Sequence, residues 1–215
     1  MTLLRPPILA EVQNKPCPVL TIPGLGNSSI GHWQTIWEQT RRDCRRIQLG
    51  RWNDPLPSVW VKRIDDAVWC EEEPVVLVAH SLGCIALAHW ASRHGDAAQS
   101  RVRGALLVAP CDPERPGASA ELARFAPVPR EPLPFPSMLV ASSNDRYARI
   151  DRAKRFAADW GSALVEVGTQ GHINADSGLG AWAFGLELLE ELQAGNFAAR
   201  LKVENYRQIL RYGIG

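Results

Sequence analysis

Three residues of this chain have the types and order needed for acyl transfer: Ser81 in VVLVAHSLG, Asp145 in SSNDRY and His172 in QGHINAD. A serine hydroxyl attacks a carbonyl only when a base takes its proton, and the base works best when a carboxylate fixes its tautomer and steadies the imidazolium. A nucleophile on a tight strand-to-helix turn needs small residues two positions to either side, and Ala79 and Gly83 stand there. Glycine is usual at the first place; alanine departs from that pattern by one methyl. Asp145 follows the apolar run SMLVA by four residues and His172 follows ALVEV by five, so each lies just past a later strand.

Each member has a plainer reading. Ser81 could cap a helix, and Asp145 could cap the helix after it, which would leave Asp112 or Asp151 as the acid. His172 alone among the histidines lies beyond the last strand; His80, His89 and His94 belong to the elbow and its helix, with His80 expected to point away from substrate. Cys84 is expected to be buried and inert.

Acyl transfer also needs donors aimed at the oxygen that becomes negative, each worth about 3 to 4 kcal/mol. The expected pair is Leu82 N–H, at a helix N-terminus, and Leu25 N–H in the loop PGLGNSS, where Gly24 and Gly26 allow close approach. That loop has neither a dinucleotide fingerprint nor a P-loop pattern, so no nucleotide is expected. Trp33 with His32 is placed to line the acyl or leaving-group pocket, although a tryptophan at this spacing also suits a core.

Short β-rich runs recur at 18–22, 45–49, 75–79, 104–109, 137–141 and 163–167, each followed by a turn signal and a helical pattern. Helices are expected around Ile36 and Trp37, from Ser58, after Ser81, at 147–160 and at 179–192, with a short one at 118–125 inside a proline-rich connection. Alternation of this kind predicts an α/β fold: a doubly wound, mainly parallel six-stranded sheet with helices on both faces and no large lid domain. Parallel strands bring Ser81, Asp145 and His172 to one carboxyl edge, where such sheets build their sites.

With 215 residues, 46% of them hydrophobic, and a formal charge of +1, the chain reads as a single domain of 1–215, with a lead-in at 1–17 and a C-terminal extension at 196–215. Near-neutrality argues against a nucleic-acid partner. The arginines at 41, 42, 45 and 46 read as a solvated helix end. Five scattered cysteines without ligand spacing predict neither a disulfide framework nor a metal site, and no cofactor is expected. With no signal-peptide core and no membrane span in the sequence, the expected compartment is the cytoplasm, the expected partner a small acyl substrate.

The segments IPGLGNSSIGHWQTIWE, WNDP, VVLVAHSLG, SSNDRY and GHINADSG closely resemble the small serine hydrolases related to retinoblastoma-binding protein 9 and YdeN, over residues 18 to 192. The resemblance implies a compact α/β-hydrolase in which Ser81, Asp145 and His172 form the triad, with ester hydrolysis as the activity. The L-x-C-x-E motif behind the first relative's name reads Val68, Trp69, Cys70, Glu71, Glu72 here. Since Val68 falls on the apolar face of a helix, no retinoblastoma binding is expected.

Overall fold

A computed structural model describes residues 17–195; the expected lead-in up to residue 16 and the C-terminal extension 196–215 lie outside the described residues. Six strands, β1 (Val19–Ile22), β2 (Cys44–Arg46), β3 (Val75–His80), β4 (Val102–Val108), β5 (Ser137–Ala141) and β6 (Ala163–Glu166), form one parallel sheet in the order β2-β1-β3-β4-β5-β6. The chain moves outward from β1 to β2, then crosses back to β3 and proceeds the other way. The switch between β1 and β3 opens a crevice at their carboxyl ends.

Side chains alternate across the sheet as the two-residue period requires. Leu20, Ile22, Leu77, Ala79, Leu107 and Leu139 face one core, beneath α2 (Pro57–Trp69), α3 (Leu82–His94), α5 (Ala120–Ala123) and α6 (Ile150–Trp160). Val19, Val76, Val78, Leu106, Val108 and Val140 face the other, beneath α1 (Trp33–Thr40) and α7 (Ala183–Ala194). A further short helix, α4 (Asp96–Gln99), links α3 to β4. The sheet is thus covered on both faces, as the alternation of elements predicts.

Helix α2 starts with Pro57, a residue preorganised for a first turn, and buries Trp60, Val61, Ile64 and Val68 along one stripe. Val68, which stands where the L-x-C-x-E motif has leucine, is fully buried and cannot be presented to a partner. Nine of the 13 residues of α3 are buried, which explains its apolar character on nearly every side.

Two helices begin later than their apolar patterns suggest. A turn around Asp145–Tyr147 and the extended backbone of Arg149 delay α6 to Ile150; Gly161 ends it in the left-handed conformation with φ 65°. Before α7, Gly178 and Gly180 adopt φ of 65° and 56°, so the chain makes a 3-10 turn at Ala175–Ser177 and enters the helix only at Ala183. The arginine cluster is also not a solvated helix end: it straddles the end of α1 and β2, with ion pairs Arg41–Asp43, Arg45–Glu71 and Arg46–Glu38.

Candidate active site

Ser81 sits between β3 and α3 with φ 54° and ψ −121°, a strained conformation for a residue bearing a Cβ. Its N–H donates to Val108 O at 3.0 Å, and its own carbonyl accepts from Cys84 N–H at 3.0 Å. The turn is tight enough to dictate its neighbours. A Cβ on Gly83 would stand 2.3 Å from Ile22 O and 2.7 Å from Pro23 O, and one on Gly24 would stand 2.8 Å from Ser81 Cβ. The small residues therefore let the first turn of α3 and the loop after β1 close around the serine.

Ser81 Oγ–H donates to His172 Nε2 at 2.8 Å, and His172 Nδ1–H donates to Asp145 Oδ2 at 2.8 Å. The side chains of His172 and Asp145 are only 9% and 4% exposed. Asp145 Oδ1 accepts from Tyr147 N–H at 2.8 Å, so both carboxylate oxygens are engaged. The alternative acids are engaged elsewhere: Asp112 pairs with Arg152 and exposed Asp151 with Arg149. Helix α6 is capped at Arg149, so Asp145 does not cap it.

The loop carrying His172 is pinned from three sides by groups whose supporting role residue type and order do not single out. Asn144 Oδ1 accepts from Gly171 N–H at 2.7 Å, and Ser142 Oγ accepts from Gln170 N–H at 2.8 Å. His80 Nε2–H donates to His172 O at 3.0 Å, and Trp33 Nε1–H donates to Ile173 O at 2.8 Å. Trp33 is thus a core residue, 1% exposed and packed against Trp37 and Trp182, rather than part of the pocket wall. Burying so large a ring in the face beneath α7 leaves only its N–H to act on the site.

A cavity of about 310 Å³ opens over Ser81. Leu25, His32, His80, Leu122, Tyr147 and Asn174 are among its walls. His80 therefore reaches the cavity instead of pointing away from it, because its ring lies 4.9 Å from that of His172. Leu122 comes from α5, so the proline-rich connection supplies a wall even though it forms no lid.

Leu82 opens α3, where an N–H has no partner within the helix. Leu25 N–H makes no backbone hydrogen bond among the described residues, whereas its neighbours are tied down: Gly26 N–H donates to Trp52 O at 2.8 Å, and Arg46 Nη1 to Asn27 Oδ1 at 3.0 Å. Ser28 Oγ–H further donates to buried Gln34 Oε1 at 2.7 Å. A rigid loop of this kind presents donors without reorganisation. The WNDP segment and Arg46 thus stabilise the loop after β1.

His32 caps α1 by accepting Gln34 N–H on Nδ1 at 3.2 Å; its Nε2 is buried without a partner among the described residues. Burial, with Arg46 and His172 nearby, pushes its pKa down to about 4. Burial also holds His80 well below the ordinary histidine range. Unfolded chains protonate such residues near pH 6.5, so His32 contributes stability present above that pH and lost as pH falls toward 4. The loss is on the order of 3 kcal/mol. Urea midpoints measured at pH 7 and pH 4.5 should fall much less for His32→Asn, which keeps a capping oxygen, than for the wild type. An equal fall in both would remove His32 as the cause.

The thiols offer no competing nucleophile at this site. Cys84 is buried and burial drives its pKa well up, while Cys111 is pushed up to about 12. Among the described residues no group of histidine, cysteine and carboxylates could hold a metal, and no helix is long and apolar enough to cross a membrane.

A family profile described as serine hydrolase matches residues 19–191. A YdeN-like hydrolase from Pectobacterium atrosepticum is 34% identical and has a TM-score of 0.73, over 83% of this chain and 91% of that one. The ydeN gene product of Bacillus subtilis, 21% identical, has a TM-score of 0.67 over 83% of this chain and 99% of its own. A monoacylglycerol lipase from Paleococcus ferrophilus, 14% identical with a TM-score of 0.60 over 84% and 96%, shares the fold. No curated protein sequence matches the chain.

Proposed function

Because this chain belongs to the serine hydrolase family, we propose that it cleaves a small ester through an acyl-enzyme formed on Ser81. The observation that carries this reading is the continuous hydrogen-bonded series from Ser81 Oγ through both ring nitrogens of His172 to Asp145. His172 Nε2 takes the hydroxyl proton as Ser81 Oγ attacks the carbonyl carbon. Asp145 holds the proton on Nδ1 and stabilises the imidazolium. The amides of Leu25 and Leu82 receive the oxyanion, and the leaving group departs with the proton from Nε2. Water then attacks the acyl-enzyme by the same route, His172 again serving as base.

The walls formed by Leu25, His32 and Leu122 suit a small or flexible acyl group, and thioesters or small amides fit the same chemistry. The carboxylesterase-like activity and the likeness to retinoblastoma-binding protein 9 are parts of this proposal. So are the single-domain organisation and the cytoplasmic location, the latter supported by five free thiols.

Wild-type protein should react with a fluorophosphonate and turn over p-nitrophenyl butyrate. A folded protein that does neither would identify the chain as a binding module that keeps the hydrolase fold without its chemistry.

A further inference from the structure

A second cleft, of about 530 Å³, lies next to the catalytic cavity and has a different character. Six arginines line it, Arg115, Arg130, Arg146, Arg149, Arg152 and Arg155, against three carboxylates, Asp112, Glu114 and Asp151. Those carboxylates are already committed. Arg152 pairs with Asp112 at 3.2 Å and with Glu114, Arg130 pairs with Glu114 at 2.8 Å, and Arg149 pairs with Asp151 at 3.1 Å. Arg115, Arg146 and Arg155 have no carboxylate partner among the described residues. Arg115 Nε is moreover buried without a hydrogen-bond partner among them. An uncompensated set of guanidinium groups in a concave site is suited to a bound oxyanion, which would offset the excess charge.

One aromatic ring connects this cleft to the chemistry. Tyr147 belongs to the walls of both hollows. Its ring centroid lies 4.4 Å from that of His172, while the Arg146 guanidinium carbon lies 4.9 Å from it and that of Arg115 6.0 Å. Arg146 Nη2 also donates to Tyr147 Oη at 2.9 Å. A molecule lying across Tyr147 would have one end over Ser81 and the other among the arginines.

We propose that the arginine-lined cleft is a substrate subsite, which takes a carboxylate or phosphate group carried remote from the scissile ester. This assignment rests on the reading of the Ser81 cavity as an ester-cleaving site. It adds a preference: an ester with an anionic tail is cleaved more efficiently than its neutral counterpart. The gain appears in KM more than in kcat, since the contact is made equally in ground and transition states.

The test compares mono-p-nitrophenyl esters of dicarboxylic acids of increasing length with the same esters methyl-capped at the far carboxyl. At low ionic strength one length should show a kcat/KM about tenfold above its capped partner, as one charge-assisted contact provides. High salt should shrink that ratio. The double substitution Arg115→Gln with Arg146→Gln should bring it close to one, while Arg93→Gln, which removes a charge on α3, should leave it in place. A ratio near one at every length, or a ratio that survives the double substitution, would overturn a carboxylate subsite.

Inorganic phosphate titrated calorimetrically into Ser81→Ala protein gives a readout independent of turnover, with saturable binding expected to weaken about tenfold in the double substitution. Phosphate binding of this kind without a carboxylate advantage assigns the cleft to a phosphate-bearing group. If neither anion shows a dependence on Arg115 and Arg146, the subsite does not exist. Failure to cleave the capped esters would instead count against the ester-hydrolase reading, and the phosphate titration would still judge the cleft.

Discussion

Ser81→Ala should remove hydrolysis of p-nitrophenyl butyrate by a factor on the order of 10⁶ in kcat and abolish fluorophosphonate labelling. The substitution deletes Oγ, which makes the 2.8 Å hydrogen bond to His172, and leaves no other nucleophile in the cavity with a usable ionisation. Fold should be preserved. Alanine can occupy the same strained turn, its Cβ fills the same space as that of serine, and the backbone bonds to Val108 O and from Cys84 N–H do not involve the hydroxyl. Stability should therefore change by no more than about 1 kcal/mol. Circular dichroism and a urea curve check that premise. If the alanine variant, properly folded, keeps more than a small fraction of wild-type turnover, the acyl-enzyme mechanism is wrong.

Asp145→Asn should lower kcat by about 10⁴ while leaving KM within a few-fold. Asparagine keeps the volume of the side chain and its Oδ1 can still accept Tyr147 N–H, so the turn before α6 survives. The atom facing His172 Nδ1 becomes an NH₂ donor, however, where the wild type has an acceptor at 2.8 Å. The imidazole must then carry its proton on Nε2, facing Ser81 Oγ, and can no longer accept the hydroxyl proton. The ring itself stays in place, held by Tyr147 at 4.4 Å and by the His80 bond to its carbonyl. Steady-state kinetics with Asp145→Asn beside Asp145→Ala separates wrong tautomer from lost structure. Near-normal kcat in the asparagine variant would show that Asp145 does not orient the base.

Both substitutions probe residues whose positions were legible in the chain because strand order is written in it. Apolar runs of five or six residues separated by helical patterns leave few parallel topologies, and residues just past each strand fall at the same edge. Where backbone geometry rather than polarity interrupts the pattern, the elements depart from it. The left-handed glycines 178 and 180 shortened α7, and the turn around Asp145 shortened α6. Trp33 departs from its expected place for a different reason. Its distance from the loop after β1 suited a pocket wall, but which face of α1 it occupies depends on how that helix lies against α7. The aromatic cluster with Trp37 and Trp182 takes it inward.

Local chemistry, then, is what the sequence determines by itself: a serine flanked by small residues, an acid and a histidine in order after later strands, and a glycine-bearing loop able to approach them. These are encoded by residue type and short spacing, which operate within a strand and the turn that follows it. Only the tertiary structure decides the rest. The supports of His172 come from Asn144, Ser142, His80 and Trp33, scattered across the chain and joined by hydrogen bonds that require the assembled sheet. The uncompensated charge of the cleft beside Tyr147 arises in the same way, because arginines from the proline-rich connection, the turn after β5 and α6 meet there, while the three carboxylates present are taken up by Arg130, Arg149 and Arg152. Neither arrangement follows from a sequence period or a fixed spacing, since each depends on which distant surfaces the packing of the two cores brings together.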